Sequence, residues 1–108
     1  MYNILIPKII AKYLNKIAKD DKENAIRILF AIENLENAND PFLLKNCEKM
    51  GGYENIYCWK VGQHYRIIGE KIKDTLTLRF IENLKEENKY FSIEGIEDFL
   101  KKDKYGNN

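Results

Sequence analysis

The hydrophobic pattern of this 108-residue chain changes its period once, at Gly51-Gly52. Before that point apolar residues recur every three or four positions, which indicates amphipathic helices. After it they alternate with polar residues, which indicates half-buried strands. Helices in one half and strands in the other are typical of an α+β fold, in which the helices cover one face of an antiparallel sheet.

The first half predicts a short strand over residues 2–6 and then two amphipathic helices. Pro7 suits the first turn of the first helix. The two apolar stripes consist of Ile9, Ile10, Tyr13, Leu14 and Ile17, and of Ala25, Ile28, Leu29, Ile32 and Leu35. Asp20 and Glu23 are predicted to cap the second helix as an acidic form of the capping box. Since the connection is short, we expect the helices to form an antiparallel pair.

The second half predicts a three-stranded antiparallel meander with turns at Gly62-Gln63 and Lys73-Asp74. Alternation should turn one set of side chains toward the helices: Tyr57, Trp59 and Val61; Tyr65 and Ile67; Leu76, Leu78 and Phe80. The N-terminal strand must join this meander, because its backbone groups need hydrogen-bond partners. The predicted fold is α+β, in the order β-α-α-β-β-β, with a helical hairpin packed on a small, mainly antiparallel four-stranded sheet.

The length of the chain suits one domain with one core. We expect residues 1–91 to form that domain. Residues 92–108 should add a short helix and a tail, and the apolar side of this helix consists of Ile93, Ile96, Phe99 and Leu100. That side either packs on the domain or forms a site for a partner. Residues 37–41 read as a loop, and residues 42–50 have no clear pattern.

Charge, hydropathy and cysteine content narrow the classes of function. Lys and Arg number 18 and Asp and Glu 17, a balance that disfavours a globally basic nucleic-acid binder but permits a local basic patch. Without a membrane-spanning run or a signal peptide, we expect a cytoplasmic protein with no membrane partner. Cys47 and Cys58 lack metal-ligand spacing, so we expect reduced packing residues and no metal site.

One basic residue lies on each arm of the first hairpin, Lys60 near the end of one strand and Arg66 near the start of the next. Two cations brought together across a turn can bind a phosphate, and the planar guanidinium can bind two of its oxygens. A lysine beside another cation can also lose its proton more easily, as a general base must. The alternative is that both are ordinary polar positions. His64 is either a solvated turn residue or a phosphate contact.

This stretch and the elements around it resemble the RelE/ParE toxin superfamily of bacterial and archaeal toxin–antitoxin systems, over roughly residues 2–91. The resemblance rests on the helical hairpin, Asp40-Pro41, the Lys45-containing segment, Gly51-Gly52-Tyr53, Trp59-Lys60-Val61-Gly62 and Tyr65-Arg66-Ile67-Ile68. It implies a cognate antitoxin that wraps the toxin with helices and a strand. It also implies the RelE-like activity, cleavage of mRNA in the ribosomal A site by 2′-hydroxyl attack on the adjacent phosphate, with no metal or other cofactor.

The resemblance also assigns roles to residues of this sequence. Arg66 matches a transition-state phosphate binder, and Lys60 a general base or electrostatic group. In the family, the last strand is followed by a pair of basic residues and then by a tyrosine. One alignment matches Lys85 to the arginine that acts as the acid and Phe91 to the tyrosine. An ungapped alignment matches Leu84 and Asn88 to the same two positions. We predict the catalytic residues Arg66, Lys60 and Lys85. We predict RNA contacts, with the two tyrosines as stacking residues, from Lys45, Tyr53, His64, Arg79 and Tyr90.

Two functions remain open. The first is a RelE-like, ribosome-dependent mRNA endoribonuclease toxin, which we favour. The second is a non-enzymatic protein of the same fold, either a ParE-like inhibitor of DNA gyrase or a degenerate member that only binds its antitoxin. Residues 83–91 discriminate between them, because an intact basic pair followed by a tyrosine would favour the nuclease. Four lysines along the first helix, Lys8, Lys12, Lys16 and Lys19, form either a solvated face or a contact with ribosomal RNA.

Overall fold

The structure, a computed structural model, describes residues 2–84. Its elements are β1 (Asn3–Leu5), α1 (Lys8–Asp20), α2 (Lys22–Asn37), a 3-10 turn (Pro41–Leu43), β2 (Cys47–Lys49), β3 (Ile56–Val61), β4 (Tyr65–Ile72) and β5 (Thr75–Asn83). This confirms the α+β class and the predicted order of strand, helical hairpin and meander. The predicted final helix and the domain boundary at residue 91 lie outside the described residues.

The strands form one five-stranded sheet in the order β1-β5-β4-β3-β2. β1 pairs with β5 in parallel, and the other neighbours are antiparallel. The sheet is therefore mainly antiparallel and includes the N-terminal strand, as predicted. The predicted number of strands, four, was wrong. The added strand is β2, whose three residues are too few to show the alternation by which strands are recognised.

The two helices meet at Asp21, which ends α1 and begins α2. Its amide donates to the carbonyl of Ile17 at 2.7 Å. Its carboxylate accepts hydrogen bonds from the backbone and side-chain nitrogens of Asn24, at 3.3 and 2.8 Å. The predicted cap at Asp20 was wrong by one residue, because Asp20 is still helical and Asp21 is the first residue whose backbone leaves the helix.

The helices cover one face of the sheet with a main core. Its buried members are Ile10, Ile28, Ile32, Leu35, Trp59, Val61, Tyr65, Ile67, Leu76, Leu78 and Ile81. Trp59 is fully buried, and its indole nitrogen donates to the carbonyl of Pro41 at 2.9 Å, which confirms its predicted core role. Leu29, predicted to face inward, is 52% exposed. It lies about 100° around α2 from Ile28, on the side away from the sheet.

The opposite face of the sheet carries a second, smaller apolar cluster. It consists of Ile56, Cys58, Ile68 and Phe80, with Tyr13, Met50 and Tyr53 packed against it. We predicted that Phe80 would share the helix-covered face with Leu76 and Leu78, and that was wrong. Ile68 pairs with Phe80 and Gly69 with Leu78, so Arg79 is an extra residue in β5. Because of this β-bulge, Phe80 and Glu82 lie on the opposite face of the sheet from Leu76 and Leu78.

Gly69 makes the sheet possible at the bulge. A Cβ atom at this position would lie 2.6 Å from Leu76 Cδ1 and 3.2 Å from both the Thr77 carbonyl oxygen and Trp59 Cζ3. A glycine therefore lets β4 approach β5 and the tryptophan this closely without displacing their atoms. Within residues 2–84, neither helix has the length and apolar character needed to cross a membrane.

Candidate functional site

Lys60 and Arg66 are direct cross-strand partners in the β3–β4 hairpin. Both lie on the face of the sheet opposite the main core, since their neighbours two residues along, Cys58 and Ile68, belong to the second apolar cluster. The hairpin thus brings the two predicted cations side by side, as expected from a register fixed by a short turn.

The turn of this hairpin is anchored to the start of α2. It contains the three residues 62–64, one more than predicted, because Val61 pairs with Tyr65. Gly62 has a φ of 63°, which a glycine adopts without strain. The hydroxyl of Tyr65, whose ring is buried in the main core, donates to the Asp21 carboxylate at 3.4 Å. The tyrosine of the Tyr65-Arg66 pair therefore fixes the strand that presents the arginine.

A carboxylate flanks each of the two cations. Lys60 Nζ lies 3.5 Å from Glu48 Oε2. Arg66 Nε donates to Glu82 Oε1 at 2.6 Å, and Arg66 Nη2 contacts the same oxygen. The resulting charged row, Glu48-Lys60-Arg66-Glu82, has its two cations in the middle and its two carboxylates at the ends, so it has no formal net charge.

The two ion pairs of the charged row differ in burial. The side chains of Lys60 and Glu48 are 58% and 55% exposed, whereas those of Arg66 and Glu82 are 23% and 5% exposed. The first pair is solvated and weak, and the second is largely withdrawn from water.

Sequence reasoning did not find the two carboxylates of the charged row. Glu48 lies on β2, which had no recognisable pattern. Glu82 faces Arg66 only because the bulge at Arg79 shifts the alternation of β5. An isolated glycine in a strand pattern often marks a bulge, so Gly69 was the available signal.

Cys58 belongs to the second apolar cluster and adjoins the charged row. Burial raises the pKa of its thiol, and the neighbouring Arg66 guanidinium partly offsets that effect. Burial likewise raises the pKa of Cys47 to about 11. Both thiols are therefore neutral at physiological pH and pack as small apolar groups, which agrees with the role predicted for them.

The other predicted site residues are distributed along the same face and at the turns. Arg79 binds Glu70 Oε1 through Nη2 and Nε, at 2.7 and 3.1 Å. Tyr53 is half-buried against the second apolar cluster. Lys45 is exposed just before β2, and His64 is half-buried in the hairpin turn. These positions are compatible with RNA contacts, and the contacts themselves stay predictions. Two further predicted residues, Lys85 and Tyr90, lie outside the described part of the chain.

A separate depression lies away from the charged row. It has a volume of about 520 Å³ and is lined by Lys49, Glu54, Asn55, Tyr57, Lys71, Ile72 and Lys73. The Lys71 ammonium sits 4.9 Å from the centre of the Phe42 ring, and Phe42 packs on the main core. Of the predicted site residues that lie within residues 2–84, none lines this depression. Among residues 2–84, no three His, Cys, Asp or Glu side chains are grouped so that they could hold a metal ion.

Comparison with known proteins places this fold. The chain is 31% identical to a chain of the RelB-RelE antitoxin-toxin complex from Methanococcus jannaschii, with a TM-score of 0.65 over 82% of this chain and 99% of that one. The chain belongs to the RelE-like toxin superfamily. This confirms the resemblance inferred from the sequence.

Two further structures share the fold of this RelE-like chain. The YoeB dimer from Staphylococcus aureus is 12% identical, with a TM-score of 0.58 over 75% of this chain and 94% of that one. The archaeal RelE-RelB complex from Pyrococcus horikoshii OT3 is 18% identical, with a TM-score of 0.54 over 79% and 97%. No protein-family model matches the chain, and no curated protein does.

Proposed function

We propose that this RelE-like protein is the toxin of a type II toxin–antitoxin system and that it cleaves mRNA on the ribosome in the cytoplasm. The observation that carries the proposal is the cross-strand pair of Lys60 and Arg66 on the face of the sheet opposite the main core. Two adjacent cations at this place suit a phosphate of a bound RNA strand. We assign the toxin domain to residues 1–91.

The proposed reaction is an attack of a ribose 2′-oxygen on the adjacent phosphorus. The bond from phosphorus to the 5′-oxygen breaks, which leaves a 2′,3′-cyclic phosphate and a 5′-hydroxyl. Negative charge builds up on the phosphate oxygens on the way, and preorganised cations stabilise that charge by several kcal/mol. We assign this stabilisation to Arg66 and Lys60.

The proton transfers need a general acid and a general base. Lys85 is the proposed general acid that protonates the leaving 5′-oxygen. Lys60 is also the candidate general base for the 2′-hydroxyl, a role in which it reacts as the neutral amine. Neither role requires a metal or another cofactor.

The proposed RNA path follows the same face of the sheet. Tyr53 and Tyr90 would stack on bases, an interaction worth about 1–3 kcal/mol per base and tolerant of sequence. Lys45, His64 and Arg79 would contact phosphates. Such contacts weaken with rising salt concentration, because each releases counterions from the RNA.

We also propose a cognate antitoxin as the protein's partner. The structures from M. jannaschii and P. horikoshii are both complexes of RelE with RelB. In the chain by itself, α2 exposes three apolar side chains, Ile26, Leu29 and Phe30, which a helical partner would cover. Co-expression with the product of an adjacent open reading frame tests this proposal, and the expected result is a complex that survives gel filtration.

The test of the activity is to add the protein to ribosomes translating a defined mRNA and to map the new 5′ ends. Lys60→Ala is a suitable variant, since its solvated ion pair adds little to folding. Arg66→Lys keeps a cation beside Glu82 but loses the planar guanidinium, which can bind two phosphate oxygens at once. Lys49→Ala is the matched control, because Lys49 is an exposed lysine on the neighbouring strand β2 but lies on the other face of the sheet.

The nuclease predicts ribosome-dependent cuts that fall at least tenfold in both site variants and persist in Lys49→Ala. Unchanged cleavage in both site variants would refute the assignment of this pair. If the mRNA stays intact while DNA supercoiling by gyrase is blocked, the protein is a ParE-like inhibitor. If neither process is affected and an antitoxin still binds, the protein is a non-enzymatic member.

A further inference from the structure

Glu82 is a buried carboxylate in a sheet face that is otherwise apolar or solvated. It is 4% exposed, and within residues 2–84 no other acidic side chain is classed as buried. Burying a carboxylate is costly unless a cation and hydrogen bonds compensate it, and an apolar pair of the same volume is often at least as stable. A contribution to the stability of the fold is therefore a weak explanation for the ion pair of Glu82 and Arg66. The geometry of this pair points to a different role.

We propose that Glu82 is a positioning residue, which holds the Arg66 guanidinium in the orientation that binds the scissile phosphate. This inference rests on the proposed nuclease function. Glu82 Oε1 accepts Arg66 Nε at 2.6 Å and also contacts Nη2. The carboxylate thus occupies one side of the planar guanidinium. The edge formed by Nη1 and Nη2 lies outside this ion pair, and that edge has the spacing to bind two phosphate oxygens.

The fold holds both members of the pair rigidly. Arg66 and Glu82 are direct cross-strand partners in β4 and β5, and Arg66 is also paired on its other side, with Lys60 of β3. The next rung of the same two strands is Ile68 and Phe80, whose side chains form the second apolar cluster. A charged group fixed in this way needs no reorganisation when the phosphate becomes pentavalent, which is the condition for strong electrostatic stabilisation.

The bulge at Arg79 places Glu82 at this position. If the same sequence paired with β4 without a bulge, strict alternation from Leu76 and Leu78 would turn Glu82 into the core beneath the helices, and Ile81 would lie opposite Arg66. Bulges next to active sites commonly re-aim side chains. The solvated Lys60–Glu48 pair, at 3.5 Å, offers no comparable restraint. Of the two cations, Arg66 is the preorganised one.

The test is the substitution Glu82→Gln, which keeps the size of the side chain and one acceptor oxygen but removes the charge. Glu36→Gln is the control for the substitution itself, because Glu36 is an exposed glutamate of α2 and lies outside the proposed RNA path. Single-turnover cleavage of ribosome-bound mRNA and binding to the ribosome are measured separately, and each rate is corrected for the folded fraction. In parallel, NMR follows the Arg66 Nε–H resonance.

A positioning role predicts that Glu82→Gln lowers the single-turnover rate about 10- to 100-fold, the loss expected from misplacing a reacting group by about 1 Å. Ribosome binding should stay within about threefold of wild type, and Glu36→Gln should retain the wild-type rate. The Arg66 Nε–H resonance should be sharp in the wild type and broadened by solvent exchange in Glu82→Gln.

Three outcomes would overturn the inference. If the wild type cleaves and Glu82→Gln cleaves equally fast, positioning is wrong while the nuclease function stands. If the rate falls only in step with ribosome binding or with the folded fraction, Glu82 has a structural role alone. If the wild type does not cleave mRNA at all, the proposed function fails, and the inference fails with it.

Discussion

Removal of the positive charge of Arg66 should destabilise the fold far more than removal of the charge of Lys60, although the two residues are neighbours in the charged row. Arg66→Met leaves the carboxylate of Glu82 buried, 5% exposed, without a cation. Breaking a buried pair by removing one partner costs about 3–5 kcal/mol, and the partial exposure of Arg66 favours the lower figure, about 3 kcal/mol. For a domain of this size, that corresponds to a fall in Tm of about 12–24 °C.

Lys60→Ala provides the comparison. Both side chains of its ion pair with Glu48 are more than half exposed, and such pairs contribute about 0–1 kcal/mol. The double variant Arg66→Met/Glu82→Leu completes the design. It replaces the buried pair by apolar groups, so its free energy of unfolding should return to within about 1 kcal/mol of wild type.

Urea denaturation measures all of these variants with one probe, because the chain has one tryptophan and that residue, Trp59, is fully buried. If Arg66→Met unfolds within about 1 kcal/mol of wild type, Glu82 is not held buried and charged by Arg66. The reasoning about the charged row would then be refuted. The predicted instability is also the reason to test activity with Arg66→Lys rather than with an alanine.

Three further predictions concern the sheet and its cysteines. Gly69→Ala should cost about 1–3 kcal/mol of unfolding free energy, because the new Cβ meets Leu76 Cδ1 at 2.6 Å; a neutral effect in urea denaturation would contradict the close packing at the bulge. Lys73→Gly should stabilise by about 0.5–1 kcal/mol, since Lys73 has a φ of 53°, where a side chain is strained; a lower urea midpoint would argue against this. Burial raises the pKa of Cys47 from 9.0 to about 11, so the unfolded chain ionises first as the pH rises. Stability should therefore fall between pH 9 and about 11, and by less in Cys47→Ala; equal slopes would contradict the shift.

Local patterns predicted the parts of the fold that depend on local chemistry. The alternation of Trp59 and Val61 with Cys58 and Lys60 was enough to assign their faces, because the side-chain period of a strand is two. The pairing of Lys60 with Arg66 followed from the short turn that joins their strands. Both features depend on residues close together in the chain.

The features that were missed depend on contacts distant in sequence. Glu82 meets Arg66 because β5 contains an extra residue at Arg79, and only the pairing of β5 with β4 reveals it. Likewise β2 exists because three residues with no alternation pair with β3. Glu48 reaches Lys60 through that pairing. The pairing of the two cations was thus predicted correctly, whereas the two carboxylates that contact them were not predicted.

The chemistry of the cut mRNA end tests the central claim most directly. Ribosomes carrying a defined mRNA are incubated with wild type, Lys60→Ala or the control Lys49→Ala, and the new 3′ fragments are ligated to an adapter with and without prior 5′-phosphorylation. Attack by the 2′-hydroxyl predicts fragments that ligate only after phosphorylation, abundant with wild type and Lys49→Ala and at least tenfold fewer with Lys60→Ala. Fragments that already carry a 5′-phosphate, or equal cutting by all three proteins, would contradict cleavage by the Lys60–Arg66 pair.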